Sequence, residues 1–380
     1  MTRAADHATV AGPGWYPDPW GVSPWRWWDG MAWTVHLAGT PDHKPRLPSW
    51  LSVPVLIGSV VTVPLVVLLT VVEPVAILLG LVPLLIVLPV LAWLDRVEPE
   101  PRSSRIHAVL WGATVAGVVS GIVNTIVAGA AGETAAAVVS APLVEEAMKG
   151  LGVLWAVRRR EVDSVIDGIV YAGWVALGFA VVEDFLYFVD AAADGFLVQI
   201  FVLRALFTPF AHPLFTSWIG LAIGLAVTRR QSLAANAAWG YGLAVVSHAA
   251  WNGSLTYAER SGNNAAVGIA ALCFVGLFFA AVVTVILIRR AQQQRFVAAA
   301  PMLAQRYGVT ATEAHVFSNW RVMLTARRRL PRSKRAGFDA VHAAMARLAL
   351  LHERPGALDT VAERRLVDQL HRARAAASVA

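Results

Sequence analysis

"APLVEEAMKGLGVLWAVRRR", residues 141–160, is apolar enough to cross a lipid bilayer, yet it holds Glu145, Glu146 and Lys149 in its interior. Ionised side chains cost several kcal/mol at bilayer depth, so a span that keeps three needs a reason. The surrounding chain says that a span is the right reading. Of its 380 residues, 57% are hydrophobic and only 15% are charged, whereas soluble domains carry about 25% charged residues. Mean hydropathy is +0.57. Backbone groups in hydrocarbon must be satisfied internally, so these figures predict an all-α polytopic membrane protein.

Apolar runs of about 20 residues suffice to span. They lie near 50–72, 75–94, 106–130, 137–157, 166–189, 200–228, 234–257 and 266–288, which predicts eight transmembrane helices. The net charge of +7 is not read as a nucleic-acid footprint, because Arg and Lys gather in the cytoplasmic loops of membrane proteins. Basic residues occur at Lys44 and Arg46, in "DRVEPEPRSSR", at Arg158–Arg160, at Arg229 and Arg230, and at Arg289 and Arg290. The alternate loops, "VVEP", "GAAGET", "VDAAADG" and "AERSGNN", are acidic or nearly neutral. This alternation predicts that both termini are cytoplasmic. The first residues lack an apolar h-region, so no cleaved leader is expected. A single cysteine, Cys273, excludes an internal disulfide and a cysteine-based zinc site.

Three domains are expected: residues 1–48, a bundle over 49–290, and a basic helical tail over 291–380. The first is crowded with Trp15, Trp20, Trp25, Trp27, Trp28 and Trp33 among Pro and Gly turn residues. So much aromatic area suits a very small folded module, a spacer in preference to a membrane anchor. Its pattern resembles a short Trp-rich domain of unclear function found at the front of bacterial membrane proteins. In the tail, "FDAVHAAMARLALLHE" and "TVAERRLVDQLHRA" place apolar residues at helical spacing beside many arginines, as in a solvated cytoplasmic region.

Ionisable and amide groups recur inside the spans. The fourth helix has Glu145-Glu146-x-x-Lys149, and the fifth has Phe179-x-x-x-Glu183-Asp184. The sixth has His212-x-x-x-Thr216, and the seventh has His248-x-x-x-Asn252. Each i,i+4 pair lies on one helix face, one turn apart. At roughly 1.5 Å per residue, Glu145, Glu183 and His248 fall about 10–13 Å below the non-cytoplasmic surface, with His212 somewhat deeper. Four helices thus bring polar groups to one layer. Arg204 reads as a snorkelling or structural residue near the interface. Phe179, Tyr187 and Trp251 read as packing, and Gly220-x-x-x-Gly224 as a close helix contact.

In this order, E-E-x-x-K, F-x-x-x-E-[ND], H-x-x-x-T and H-x-x-W-N resemble the PrsW family of bacterial intramembrane proteases, distantly related to the CAAX prenyl-protease superfamily. The resemblance covers roughly residues 75–290. Asp184 departs from it, since the family often has Asn there. It implies a bacterial plasma-membrane endopeptidase, with a membrane-protein substrate such as a single-span anti-sigma factor. Adjacent carboxylates in low dielectric repel and tend to share a proton, which suits Glu145 or Glu146 as general base, with Lys149 offsetting the remaining charge. From the superfamily, Glu183 and His212 would complete water activation, while His248 and Asn252 would stabilise the oxyanion. Asp184 and Thr216 are supporting residues. A divalent metal such as zinc on Glu145, Glu146, His212 and His248 is one option, and metal-free glutamate catalysis is the other. A transporter using the same groups as a proton relay is the competing reading, against which no related pair of halves is visible. A non-catalytic adaptor with a polar packing core is the third.

Overall fold

The computed structural model describes residues 13–19, 25–38, 51–95, 100–263, 265–352 and 361–378. The chain divides into two compact units, Leu47–Arg289 and Met1–Arg46 with Arg290–Ala380.

In the first unit every apolar run read from the sequence is helical. Among the described residues, six helices are long and apolar enough to cross a membrane: Val53–Val72, Pro74–Leu94, Arg102–Ala131, Val165–Ala193, Leu197–Arg229 and Ala265–Tyr307. The expected count was eight. The other two runs form helices at Ala141–Arg158 and Leu233–Ser261. Their polar residues, Glu145, Glu146 and Lys149 on one and Asn236, His248 and Asn252 on the other, dilute the apolar character. The outer surface is what a lipid-facing bundle requires, with Val60, Leu85 and Ile126 at 70%, 73% and 64% exposure.

Val165–Ala193 is the central post. It starts at a reciprocal capping box between Ser164 and Asp167 and is buried from Ile166 to Ala180 except at the half-buried Ile169. Its closest partner is Ala211–Arg229, and small residues permit the approach. A Cβ on Gly168 would stand 2.2 Å from the Gly220 carbonyl oxygen, and one on Gly220 would stand 2.3 Å from that of Gly168. The close contact expected at Gly220 and Gly224 is therefore present. Near the start of the post, Tyr171 donates its hydroxyl hydrogen to Glu100 at 2.9 Å, and nearby Arg105 pairs with Asp95 at 3.0 Å.

The expected single helix over 200–228 is interrupted. A wide π turn, Val202–Phe207, ends at Thr208, and the helix resumes at Ala211. Pro209 supplies no N–H and fixes its own φ, which is the local reason for the break. A second π turn, Ala136–Ser140, leads into Ala141–Arg158. Such turns insert a residue into a helix and often occur at functional sites.

The second unit contains a three-stranded antiparallel sheet in the order Gly14–Pro17, Trp25–Trp28, Trp33–Ala38, which adds a small β element to an otherwise helical protein. Trp28 and Trp33 pack edge-on at 5.3 Å. Arg26 is buried and bonds Asp18 at 2.9 Å. Trp20 lies outside the described residues. Four further helices, Ala311–Ser318, Trp320–Arg329, Arg332–His352 and Val361–Ser378, surround a core that includes Leu303, Met345, Leu348 and Leu370.

Candidate functional site

Four helices deliver the site. Glu145, Glu146 and Lys149 come from Ala141–Arg158, Glu183 and Asp184 from the central post, His212 and Thr216 from the helix after the break, and His248 from Leu233–Ser261. All except Glu183 are buried to 8% exposure or less.

Lys149 is the hub. Its Nζ lies 2.9 Å from Glu146 Oε1, 3.4 Å from Glu145 Oε2 and 2.9 Å from His212 Nδ1, over the Phe179 ring at 3.9 Å. An ammonium only donates, so His212 Nδ1 must accept. The ring hydrogen of His212 is then on Nε2, which donates to Glu183 Oε2 at 2.6 Å. His248 is arranged in parallel. Its Nδ1 faces Glu146 Oε1 at 3.2 Å, and its Nε2 is 3.9 Å from Glu145 Oε2. Phe215 stacks on it at 5.0 Å. Each histidine thus has a carboxylate behind it and turns its other nitrogen inward.

The two neighbouring glutamates differ. Glu146 is saturated by Lys149, His248 and the Thr216 hydroxyl, the last at 2.8 Å. Glu145 is held more loosely, with Asn124 Nδ2 donating to Oε1 at 3.3 Å and Ser140 Oγ donating to Asn124 at 2.8 Å. Asn252 stands apart from these contacts. Its Nδ2 bonds the Ala137 carbonyl on the π turn at 2.9 Å, while its side chain borders the same cavity.

That cavity measures about 140 Å³ and is lined by Glu183, Arg204, Thr208, His212, His248 and Asn252 among others. A void of this polarity and size admits several water molecules. Thr208 and Pro209 of the broken backbone border it, as irregular backbone inside a membrane must border either protein or a wet cavity.

Arg204, read from the sequence as a snorkelling or structural residue, takes the second of these roles, pairing with Glu183 at 2.5 Å and Asp184 at 2.6 Å. Asn124, a lone amide in "SGIVNTIVAG", escaped notice although an amide in mid-span is itself a signal. Glu145, Glu146, Glu183 and Asp184 face two cationic side chains, Lys149 and Arg204, which leaves two negative charges for protons or a cation to balance.

A metal ion has a consistent donor set. Glu145, His212 and His248 each offer a ligand atom, all within 4.8 Å of one another. Metal-bound histidines usually donate their other N–H to a carboxylate, the relation that Glu183 has to His212 and Glu146 has to His248. Against this, Lys149 already bonds His212 Nδ1 and would have to yield that contact.

Residues 100–288 match the family model described as PrsW family intramembrane metalloprotease. Residues 13–46 match a protein of unknown function, DUF2510. Among curated proteins, Protease PrsW of Geobacillus kaustophilus (strain HTA426) is 33% identical over 150 residues, covering 39% of this chain and 64% of that protein. Protease PrsW of Oceanobacillus iheyensis is 32% identical over 111 residues, 29% of this chain and 49% of that protein. Protease PrsW of Clostridioides difficile (strain 630) is 28% identical over 152 residues, 37% of this chain and 63% of that protein. The chain therefore spans about half to just under two thirds of the length of these curated relatives. No solved structure matches the chain.

Proposed function

Residues 100–288 belong to the PrsW family, and from that premise we propose that this multi-pass bacterial membrane protein is an intramembrane endopeptidase acting on other membrane proteins. The observation that carries the reading is a pair of histidines that line a polar cavity, each backed by its own carboxylate, with the loosely held Glu145 buried behind them.

Glu145 acts as general base. It takes a proton from a water molecule in the cavity while the water oxygen bonds to the scissile carbonyl carbon. The carbonyl oxygen gathers the displaced electron pair and is stabilised by Asn252 Nδ2–H and by the His248 ring once it carries the proton shared with Glu145. Collapse expels the amine, which receives that proton, so one water is consumed and one peptide bond is cut. Glu146 and Thr216 fix His248 and Lys149, and Glu183 fixes His212. Lys149 keeps the carboxylates from repelling each other apart.

A divalent ion such as zinc, held by Glu145, His212 and His248, would supply Lewis acidity toward the carbonyl and toward water. The position of the Lys149 ammonium among the same donors favours the metal-free alternative, in which a side-chain cation does the neutralising. Metal analysis of the purified full chain, with activity measured after chelation, separates the two.

The substrate we favour is a single-span regulator such as an anti-sigma factor, cut within or beside its span. Loop charge supports a cytoplasmic position for both termini, with residues 1–48 and 291–380 lying before and after the bundle at 49–290 in the chain. Comparing membrane-protein fragments in cells bearing wild type or Glu145→Gln tests the function. Fragments lost in a folded Glu145→Gln variant support proteolysis. A proton flux lost in that variant, with fragments unchanged, would favour a relay.

A further inference from the structure

Arg204 has no role in the chemistry above, yet it is the best-anchored cation at the cavity. Its Nη2 donates to Glu183 Oε2 at 2.5 Å, its Nε donates to Asp184 Oδ1 at 2.6 Å, and its guanidinium lies over the Tyr187 ring at 4.1 Å. All three partners sit on one helix, the central post, within one turn. A snorkelling arginine would extend toward headgroups, but this one is turned inward with only 21% side-chain exposure.

The decisive detail is an oxygen shared by two donors. Glu183 Oε2 accepts from Arg204 and, at 2.6 Å, from His212 Nε2. A chain of contacts therefore runs from Asp184 through Arg204 and Glu183 to His212. Its far end sets which nitrogen of His212 faces Glu145 and Lys149. The π turn Val202–Phe207 puts Arg204 into that line immediately before the break that places His212 at the start of the next helix.

We infer that Arg204 is a positioning residue. Clamped by Asp184 and Tyr187, it holds the Glu183 carboxylate against His212 Nε2 and so fixes the His212 ring with Nδ1 turned into the site. The inference rests on the reading of this cluster as the hydrolytic centre. It also gives Asp184 a task, because the second carboxylate anchors the guanidinium while Glu183 does the holding. A lysine at 204 keeps the charge but lacks the planar fork needed to engage both carboxylates.

The test uses the full chain in detergent micelles with ¹⁵N-labelled histidine, the His212 signals being assigned by their loss in His212→Gln. Wild type is expected to show His212 protonated at Nε2 alone. Arg204→Lys is expected to mix the two tautomers or broaden the signal, with helical content and thermal unfolding close to wild type. Asp184→Asn keeps an oxygen for Nε and is expected to retain the wild-type pattern, whereas Asp184→Ala is expected to resemble Arg204→Lys. If Arg204→Lys fails to fold, the two Asp184 variants decide on their own. Where cleavage is measurable, Arg204→Lys should lower kcat by about 10–100-fold with a smaller change in KM. A single unchanged Nε2–H tautomer in both Arg204→Lys and Asp184→Ala overturns the inference. The nitrogen signals are read without any substrate, so a perturbed ring in a protein that cuts nothing would defeat the protease reading and leave the positioning intact.

Discussion

Lys149→Met removes the hub cation and leaves a side chain of similar length in its place. In the native protein Nζ contacts Glu145, Glu146 and His212 at 3.4, 2.9 and 2.9 Å, and Lys149 has no exposed surface. Removing one member of a buried ion pair costs about 3–5 kcal/mol, because the partner charge stays behind without compensation. Here two carboxylates stay behind, side by side, and the contact with Phe179 that could add up to about 2 kcal/mol is lost as well. Protonation of one glutamate relieves part of this, so we expect a net loss of about 3–5 kcal/mol at neutral pH. That is on the order of a 10²–10⁴-fold shift in the unfolding equilibrium. Reversible unfolding of the purified chain in mixed micelles, titrated with a denaturing detergent, measures it. Glu146→Gln combined with Lys149→Met removes one excess charge, so the double variant should lose less than the sum of the single losses. A cost below about 1 kcal/mol for Lys149→Met, or strict additivity in the double variant, would refute the idea that a mutually compensating buried cluster holds these helices together.

Other outcomes follow from separate parts of the molecule. Glu145→Gln should abolish cleavage while changing stability by less than about 1 kcal/mol, since Gln still accepts from Asn124; the paired readings are fragment formation and micelle unfolding. Gly168→Ala should destabilise by about 1–3 kcal/mol or more, because its Cβ meets the Gly220 carbonyl, whereas Gly121→Ala meets no neighbour and should be nearly neutral in the same unfolding assay. Burial pushes the Asp95 carboxyl up to about 6, against the pull of the Glu100 backbone N–H and Arg105. The folded protein thus holds this proton more tightly than the unfolded chain does, so the associated stability is present below about pH 4 and is lost as pH rises through 6. Measured against Asp95→Asn, wild type should lose about 1–2 kcal/mol across that window, and a flat difference would contradict the assignment.

Much of the site was legible before any coordinates, and for one reason. A carboxylate, ammonium or imidazole in an apolar run is costly enough to stand out, so Glu145, Glu146, Lys149, Glu183, His212 and His248 could be picked out by composition alone. Helical periodicity then placed them on faces, and the helices bring them within hydrogen-bond reach. For Arg204 the sequence left a snorkelling and a structural role open, because it does not show which way an arginine near a span end turns. Asn124 was passed over because an uncharged amide carries a weaker penalty than a charge. The π turns at Ala136–Ser140 and Val202–Phe207 left no trace in the hydrophobic pattern, although "TPFAHP" did contain the proline that breaks the sixth run. The Trp-rich stretch signalled a small fold, but strands of four residues are too short for alternation to reveal them.

The most direct test mixes the purified full chain, reconstituted in nanodiscs, with solubilised membrane proteins from its host and maps new N-termini by mass spectrometry. We expect N-termini within or beside transmembrane segments that appear with wild type and vanish with Glu145→Gln and His248→Ala, both of them folded. The same set of new termini from wild type and from both variants would contradict a hydrolytic centre built on Glu145 and His248.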